Sequence, residues 1–414
     1  MSSPAAEANL QHPDISTPSS DGPVSSTEVP KKPVQSASAW TDDNQSRPTE
    51  IDRLREQLTK WLSIPPEDAE VIDFYLAVYK SHELPGDPLW AISIDASGAG
   101  KTELLRSFRG RKDAYPLSSL TEKTLISGYR DPKNPKKDPS LLPHLHEKVL
   151  IIKDLSPLLQ MRRESRNIII GQLRDIYDGF TDEGRGNLGK VSYESRFSFL
   201  SASTLSVDRF DSIDQELGER FIKFRARGDG SRDKVRRALQ NVGCDTIMRT
   251  EISKAMNDFL DSLPRLQNHR IPDCLMDRLI NIADFAAKAR SAIARDRNGE
   301  MQYLPKPEVG TRLGKELAKL LIALAGIRGK SQTDEADFAT VARVADDCLP
   351  PNRLAVIQAL RKNREPLTAC KIAEDTGLPR TTAVRALDDL KVLGLVTSSG
   401  ANEFEQTRWK LVSR

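Results

Sequence analysis

Apolar residues first recur at helical spacing in Ile51, Leu54, Leu58, Trp61 and Leu62, just after Thr49. That pattern predicts a helix opening near Thr49-Glu50 and stopping at Pro65-Pro66. A second helix is expected from Asp68 to Tyr79, with Val71, Phe74, Tyr75 and Val78 on one face. Then the period changes. Leu89 to Ile94 is a short, unbroken apolar run between Pro88 and Asp95, which reads as a buried strand. Val149 to Ile152 and Phe197 to Leu200 read the same way. Between them lie helical stretches at Thr102 to Phe108 and Ser165 to Tyr177, and two strands around a Gly-rich turn, Gly184 to Gly189. Strands alternating with helices predict a mostly parallel sheet covered on both faces.

From about Arg232 to Leu349 every periodic stretch is helical, with Ile252–Leu263, Leu275–Ile293 and Val309–Ile327 as examples. Pro350-Pro351 ends this block. Three helices (Arg353–Arg361, Ala369–Asp375, Arg380–Leu393) and two short strands are expected after it, near Leu395–Thr397 and Thr407–Leu411. The first fifty residues hold ten Ser and seven Pro, with Trp40 the one large apolar side chain of note. Such a segment buries too little surface to offset its ordering entropy, so a disordered tail is expected at 1–49. The other expected boundaries are 50–228 for the strand-and-helix region, 229–350 for the helical block and 351–414 for the C-terminal module.

Length and composition narrow the class. The 414 residues suggest more than one domain, and no apolar run approaches a membrane span. No basic segment followed by an apolar one opens the chain, so no secretory signal is expected. Cys244, Cys274, Cys348 and Cys370 are widely spaced, which argues against a disulfide framework or zinc ribbon and fits a reducing cytoplasm. Net charge is +3, but the tail is acidic and the basic excess falls in the remainder, including residues 351–414. A mild positive field permits contact with nucleic acid without requiring it.

The octapeptide Asp95-Ala96-Ser97-Gly98-Ala99-Gly100-Lys101-Thr102 lies between an expected strand and an expected helix, the setting of a phosphate-binding loop. In such a loop successive N–H groups wrap the phosphates, the Lys neutralises them and the Thr hydroxyl holds Mg²⁺. The candidate ATP-binding residues are Ser97, Gly98, Ala99, Gly100, Lys101, Thr102 and Glu103, with Mg²⁺ as the accompanying ion. One departure stands out: the pattern asks for Gly where this chain has Asp95. Its carboxylate is harmless only if it points away from the phosphates or toward a Lys or Arg. Asp154, at the tip of the Val149–Ile152 strand, is a candidate second Mg²⁺ ligand; many core strands also end in Asp. The following residue is Leu155, where a water-activating Glu is usual. Asp175 or Asp178 is a candidate substitute, and a solvent-facing helix end is the alternative for both.

These landmarks, with "LSSLTEKTLISG", "SLLPHLHEKVLIIKDLSPLLQ", "LRDIYDG", "SFLSAST" and "LGERF" in this order, resemble the AAA+ ATPases. The likeness is to the branch that includes the minichromosome maintenance helicases and the sigma-factor-remodelling activators. It implies an α/β fold: a P-loop core with a parallel sheet, an all-α lid and a C-terminal winged-helix domain. It implies a homo-oligomer, and catalytic roles for Asp154, for Thr204 as sensor 1, for Arg220 as the arginine finger of a neighbouring subunit and for Arg312 as sensor 2. It also implies a pore hairpin at Gly184–Gly189, where Lys190 or Arg185 would meet DNA; a solvated hairpin is the equal alternative.

The stretch Leu367 to Gly377, then Leu378 to Leu387, has helix-turn-helix form, with Ile372, Ala373, Leu378, Val384 and Leu387 as its seam. Gly377 permits the sharp turn, and Pro379 suits a first helical position. Arg380, Thr381, Thr382 and Arg385 are side chains of the kind that reach phosphates and base edges. Ser398-Ser399-Gly400 resembles a wing tip. The leading expectation is an oligomeric ATPase acting on DNA as a helicase, loader or remodeller. An ATP-responsive DNA-binding regulator with little hydrolysis, and an adaptor whose winged helix docks protein, are the alternatives.

Overall fold

The computed structural model describes residues 49–127, 129, 138–185, 189–210, 220–228, 231–267, 269–296, 298–400 and 407–412. The chain divides into Met1–Arg47 and Pro48–Arg414. The expected tail, up to residue 48, lies outside the described residues. Order opens with α1 (Glu50–Trp61), fixed at its start by a capping box. The Thr49 hydroxyl accepts from the Asp52 N–H at 3.3 Å, while the Asp52 carboxylate accepts from the Thr49 N–H at 3.1 Å. Its apolar stripe, Ile51, Leu54 and Leu58, is buried. The next helix, α2 (Glu70–Lys80), is buried over most of its length, Asp73 included.

The central sheet holds β1 (Trp90–Ile94), β2 (Ala114–Leu117), β3 (Val149–Ile152), β6 (Ser198–Ser203) and β7 (Phe221–Arg225), with the hairpin β4 (Phe180–Arg185) and β5 (Gly189–Glu194) standing apart. Its order is β2-β3-β6-β1-β7 and every pair is parallel. Between strands come α3 (Lys101–Arg106), α4 (Leu142–Leu145), α5 (Ser156–Leu159) and α6 (Arg163–Tyr177). Alternate residues feed two cores. Ala91, Ile151, Leu200 and Phe224 pack on one face, and Trp90, Ile92, Leu150 and Phe199 on the other. Burial on both faces is why these strands read as unbroken apolar runs.

Two strands carried no such run. Pro116 sits in β2 at the sheet edge, where a missing N–H breaks no inner ladder. At the other edge, β7 interrupts its apolar residues with Lys223.

The helical block is α7 (Ser231–Gln240), α8 (Asp245–Ser262), α9 (Asp273–Arg290), α10 (Thr311–Ile327) and α11 (Glu335–Asp347). The C-terminal module follows: α12 (Pro351–Lys362), β8 (Leu367–Thr368), α13 (Ala369–Thr376), α14 (Arg380–Val392), β9 (Val396–Ser399) and β10 (Arg408–Leu411). Its strands form an antiparallel sheet in the order β8-β10-β9. One apolar core runs from Ile51 through the sheet and helical block to Trp409, so buried side chains are continuous across residues 228 and 350. Among the described residues no helix is long and apolar enough to cross a membrane, and no group of His, Cys, Asp and Glu forms a metal cluster.

Candidate nucleotide site and helix-turn-helix module

At the carboxyl end of β1 the chain turns through Asp95–Gly100 into α3. Gly98 and Gly100 adopt left-handed φ values of +80° and +88°, angles that side-chain-bearing residues adopt at a steric cost. Lys101 opens α3, and its Nζ donates to the carbonyls of Asp95 and Ala96 at 2.8 and 2.6 Å. The ammonium is thus folded over the loop it would serve. Burial holds Lys101 below the usual lysine range, against the nearby carboxylates of Asp95 and Asp154; Lys234 adds to the lowering. Thr102 and Ser97 are exposed. Glu103 is engaged elsewhere, accepting from Arg106 at 3.0 Å and from Arg249 of α8 at 3.0 Å.

Asp95 faces a cation. Its Oδ1 accepts from the Ala96 N–H at 2.6 Å, and its Oδ2 lies 3.4 Å from Nζ of Lys234 on α7. Sequence reasoning missed Lys234 because nothing local links α7 to the loop; only the fold does. If the loop holds phosphates, removing this amine would leave Asp95 without its ion pair beside them. Lys234→Ala is therefore expected to weaken Mg-ATP binding roughly tenfold, by ~1.4 kcal/mol. The double variant with Asp95→Gly is expected to recover it, with calorimetry as the check.

Asp154 and Thr204 stand at the same end of the sheet, beyond the carboxyl termini of β3 and β6. The Leu155 N–H donates to the Ala202 carbonyl at 2.8 Å, and the Asp95 N–H donates to the Ser203 carbonyl at 3.3 Å. The ends of β3, β6 and β1 are thereby drawn together. Asp154 is exposed, and its Oδ1 accepts from the Ser156 N–H at 2.9 Å. The Thr204 hydroxyl lies 2.7 Å from the Ser206 hydroxyl. Leu155 is buried, so its side chain offers nothing to water.

Arg220 and Arg312 lie elsewhere. Arg220 immediately precedes β7, whose first residue pairs with Trp90, the first residue of β1. It therefore sits at the amino end of the sheet, separated from the loop by the length of β1, roughly 16 Å. Its guanidinium lies 3.3 Å from Asp178 and over the ring of Tyr177, at 5.4 Å from the centroid. Burial first, and then the adjacent Arg312, push Arg220 below the usual arginine range. Arg312 lines a cavity of about 810 Å³ with Tyr177, Asp178 and Lys306. Behind it Glu316 accepts from the Tyr177 hydroxyl at 2.7 Å, and burial pushes its carboxyl up to about 7. Asp175 and Asp178, the candidate substitute bases, belong to the end of α6 at this far side. The tip of the Gly-rich hairpin, 186–188, lies outside the described residues, as do the side chains of Arg185 and Lys190.

In the C-terminal module Gly377 takes φ +69° between α13 and α14. Pro379 caps α14 from one position before its first turn, rather than inside it. Ile372, Ala383 and Leu387 form the buried seam. Arg380 and Thr381 are exposed at the start of α14. Thr382 and Arg385 line a second cavity, shared with β7 and the segment after α9. The wing beyond Gly400, residues 401–406, lies outside the described residues. Residues 353–400 match the IclR helix-turn-helix domain family. The C-terminal module is accordingly a helix-turn-helix domain of DNA-binding type. No curated protein matches the chain.

Proposed function

We propose that the chain is an ATP-binding, ATP-hydrolysing P-loop protein of AAA+ type that acts on DNA as a homo-oligomer. One observation carries this reading: a glycine-supported loop joins β1 to α3 in a parallel sheet of order β2-β3-β6-β1-β7, with Asp154 ending a nearby strand. Ligands of open α/β sheets bind beyond the carboxyl ends of the strands, where this loop lies. The residues present fit a magnesium nucleotide. Lys101 and the amides of Ser97–Thr102 would hold the phosphates, and the Thr102 hydroxyl and Asp154 carboxylate would hold the ion. Bound Mg²⁺ supplies charge neutralisation on the phosphoryl oxygens. Thr204 would orient the attacking water.

The position of Arg220 supports assembly. Set at the opposite end of the sheet from Lys101, its guanidinium would serve the nucleotide of a neighbouring copy by leaving Asp178 and its buried position, stabilising charge that develops on the transferring group. Arg312, beside it, would share that role. The helix-turn-helix domain would bring DNA, with Arg380 and Thr381 at its exposed leading turn. The test is ATP turnover with and without duplex DNA. Arg220→Ala is expected to lower turnover by about 10³-fold while leaving Mg-ATP binding within about twofold. Mixing it with Lys101→Ala protein should restore part of the rate, because each supplies what the other lacks. Unchanged turnover in Arg220→Ala would overturn the trans role.

The buried Leu155 favours a second reading, an ATP-responsive DNA-binding regulator with little hydrolysis. Mg-ATP binding without turnover, together with sequence-specific DNA retention, is the result that reading expects.

A further inference from the structure

We propose that the junction between sheet, helical block and helix-turn-helix domain is a second anion site, built to take a phosphate group. A cavity of about 270 Å³ lies there, lined by Lys223, Arg225, Arg290, Arg295, Arg353 and Arg385, with Asp389 as the one carboxylate in its lining. These cations come from β7, from α9 and the segment after it, and from the C-terminal module. Three are more than nine-tenths buried: Arg290, Arg353 and Arg225, at 4%, 7% and 8% exposure. Burying a guanidinium costs several kcal/mol unless it is answered. Arg290 meets both oxygens of Glu308 at 2.9 Å, and Arg225 meets Asp208 at 2.7 and 2.9 Å. Arg295 and Arg353 share Asp389, and Arg353 also donates to the carbonyls of Ala289 and Ser291 at 2.9 and 2.7 Å. Lys223 and Arg385 then add two further positive charges to the lining.

These pairs tie the sheet, helical block and helix-turn-helix domain together, and they set six cations around a solvent-sized space with one carboxylate in its lining. A phosphate suits such a lining: its tetrahedral oxygens accept from several guanidiniums at once, the geometry in which Arg is strongest. The volume gives room for a phosphate or pyrophosphate. Gly299 turns at φ +86° beside Arg385, whose Nη2 would lie 2.8 Å from a Cβ there. The Gly299 carbonyl in turn accepts from Arg295 at 2.7 Å. Thr382, one turn before Ala386 on α14, adds a hydroxyl to the lining. Phosphate of this chemistry has two sources: a free phosphate compound, or the backbone of DNA lying against α14.

The test uses the full chain carrying Lys101→Ala, so that the phosphate-binding loop is weakened about a hundredfold and the junction dominates the signal. Pyrophosphate is titrated by calorimetry, and a fluorescent duplex is titrated across a salt series. Lys223→Ala and Arg385→Ala are the variants, since neither side chain is deeply buried; circular dichroism verifies their folding. If pyrophosphate binds and either variant weakens it by roughly tenfold or more, the scale of one charged hydrogen bond, the site takes free phosphate. If only the duplex responds, with Lys223→Ala weakening it and lowering the salt slope by about one, the ligand is DNA backbone, because Lys223 lies on the sheet outside the helix-turn-helix. No pyrophosphate binding together with unchanged duplex affinity in Lys223→Ala would overturn the proposal. Because the loop is weakened throughout, that failure leaves the ATP reading of the unmodified chain untouched.

Discussion

Lys101→Ala is expected to abolish ATP turnover and to weaken Mg-ATP binding by about a hundredfold, on the scale of the charged hydrogen bonds that an ammonium makes to phosphate oxygens. The amine is already held over the loop. Its Nζ donates to the carbonyls of Asp95 and Ala96, at the start of the loop whose later residues, Gly98 and Gly100, take left-handed angles. A phosphate lying over the loop amides is a better acceptor than two neutral carbonyls, so the amine has a partner to exchange for. The variant loses few packing contacts, because the side chain is only partly buried. Its thermal unfolding is therefore expected to match that of the unmodified chain, which separates a binding defect from a folding defect. Undiminished turnover would remove Lys101 from the chemistry.

The largest effect on stability is expected at Asp73. Its carboxylate is fully buried in α2 and is answered from two sides. Arg55 of α1 donates at 2.6 and 2.7 Å through Nη2 and at 3.0 Å through Nε, while Arg328, just past α10, donates at 2.6 and 2.9 Å. Asp73→Ala takes the buried carboxylate from both guanidiniums, and breaking a buried pair in this way costs about 3–5 kcal/mol, although Arg55 keeps Asp52 at 2.7 Å. Arg328 keeps a second partner, Asp337 at 2.7 Å, which places the expected loss toward the lower end. Urea unfolding followed by circular dichroism is the check. A shift below about 1 kcal/mol, the scale of an exposed pair, would mean that Asp73 does not join α1 to the helical block as described.

How much of this was legible in the sequence depended on the range of the interaction. The helix at Glu50–Trp61 was readable because its cap and stripe are local, and Trp90–Ile94 because burial on both faces leaves an unbroken apolar run. The edge strands Ala114–Leu117 and Phe221–Arg225 were not, since Pro116 and Lys223 are tolerated where only one neighbour pairs. The same division runs through the site. Gly98, Gly100 and Lys101 declare themselves by spacing, and so did the acid at position 95. What answers that acid did not: Lys234 arrives from α7, and no periodicity links the two. Arg220 and Arg312 could be picked out by resemblance, but that Arg220 lies a strand's length from Lys101 follows only from the parallel register of β7 on β1, and that Arg312 stands beside it only from the fold. Likewise Thr382 and Arg385 read as a DNA face, whereas packing of α14 beside the segment after α9 also sets them in a cation-lined cavity.

Every part of the energetic account depends on the Asp95–Thr102 turn accepting a magnesium triphosphate. Isothermal titration of the unmodified chain with Mg-ATP measures this directly. The account predicts saturable heat that is lost in Lys101→Ala, and absence of any such heat from the unmodified chain would contradict it.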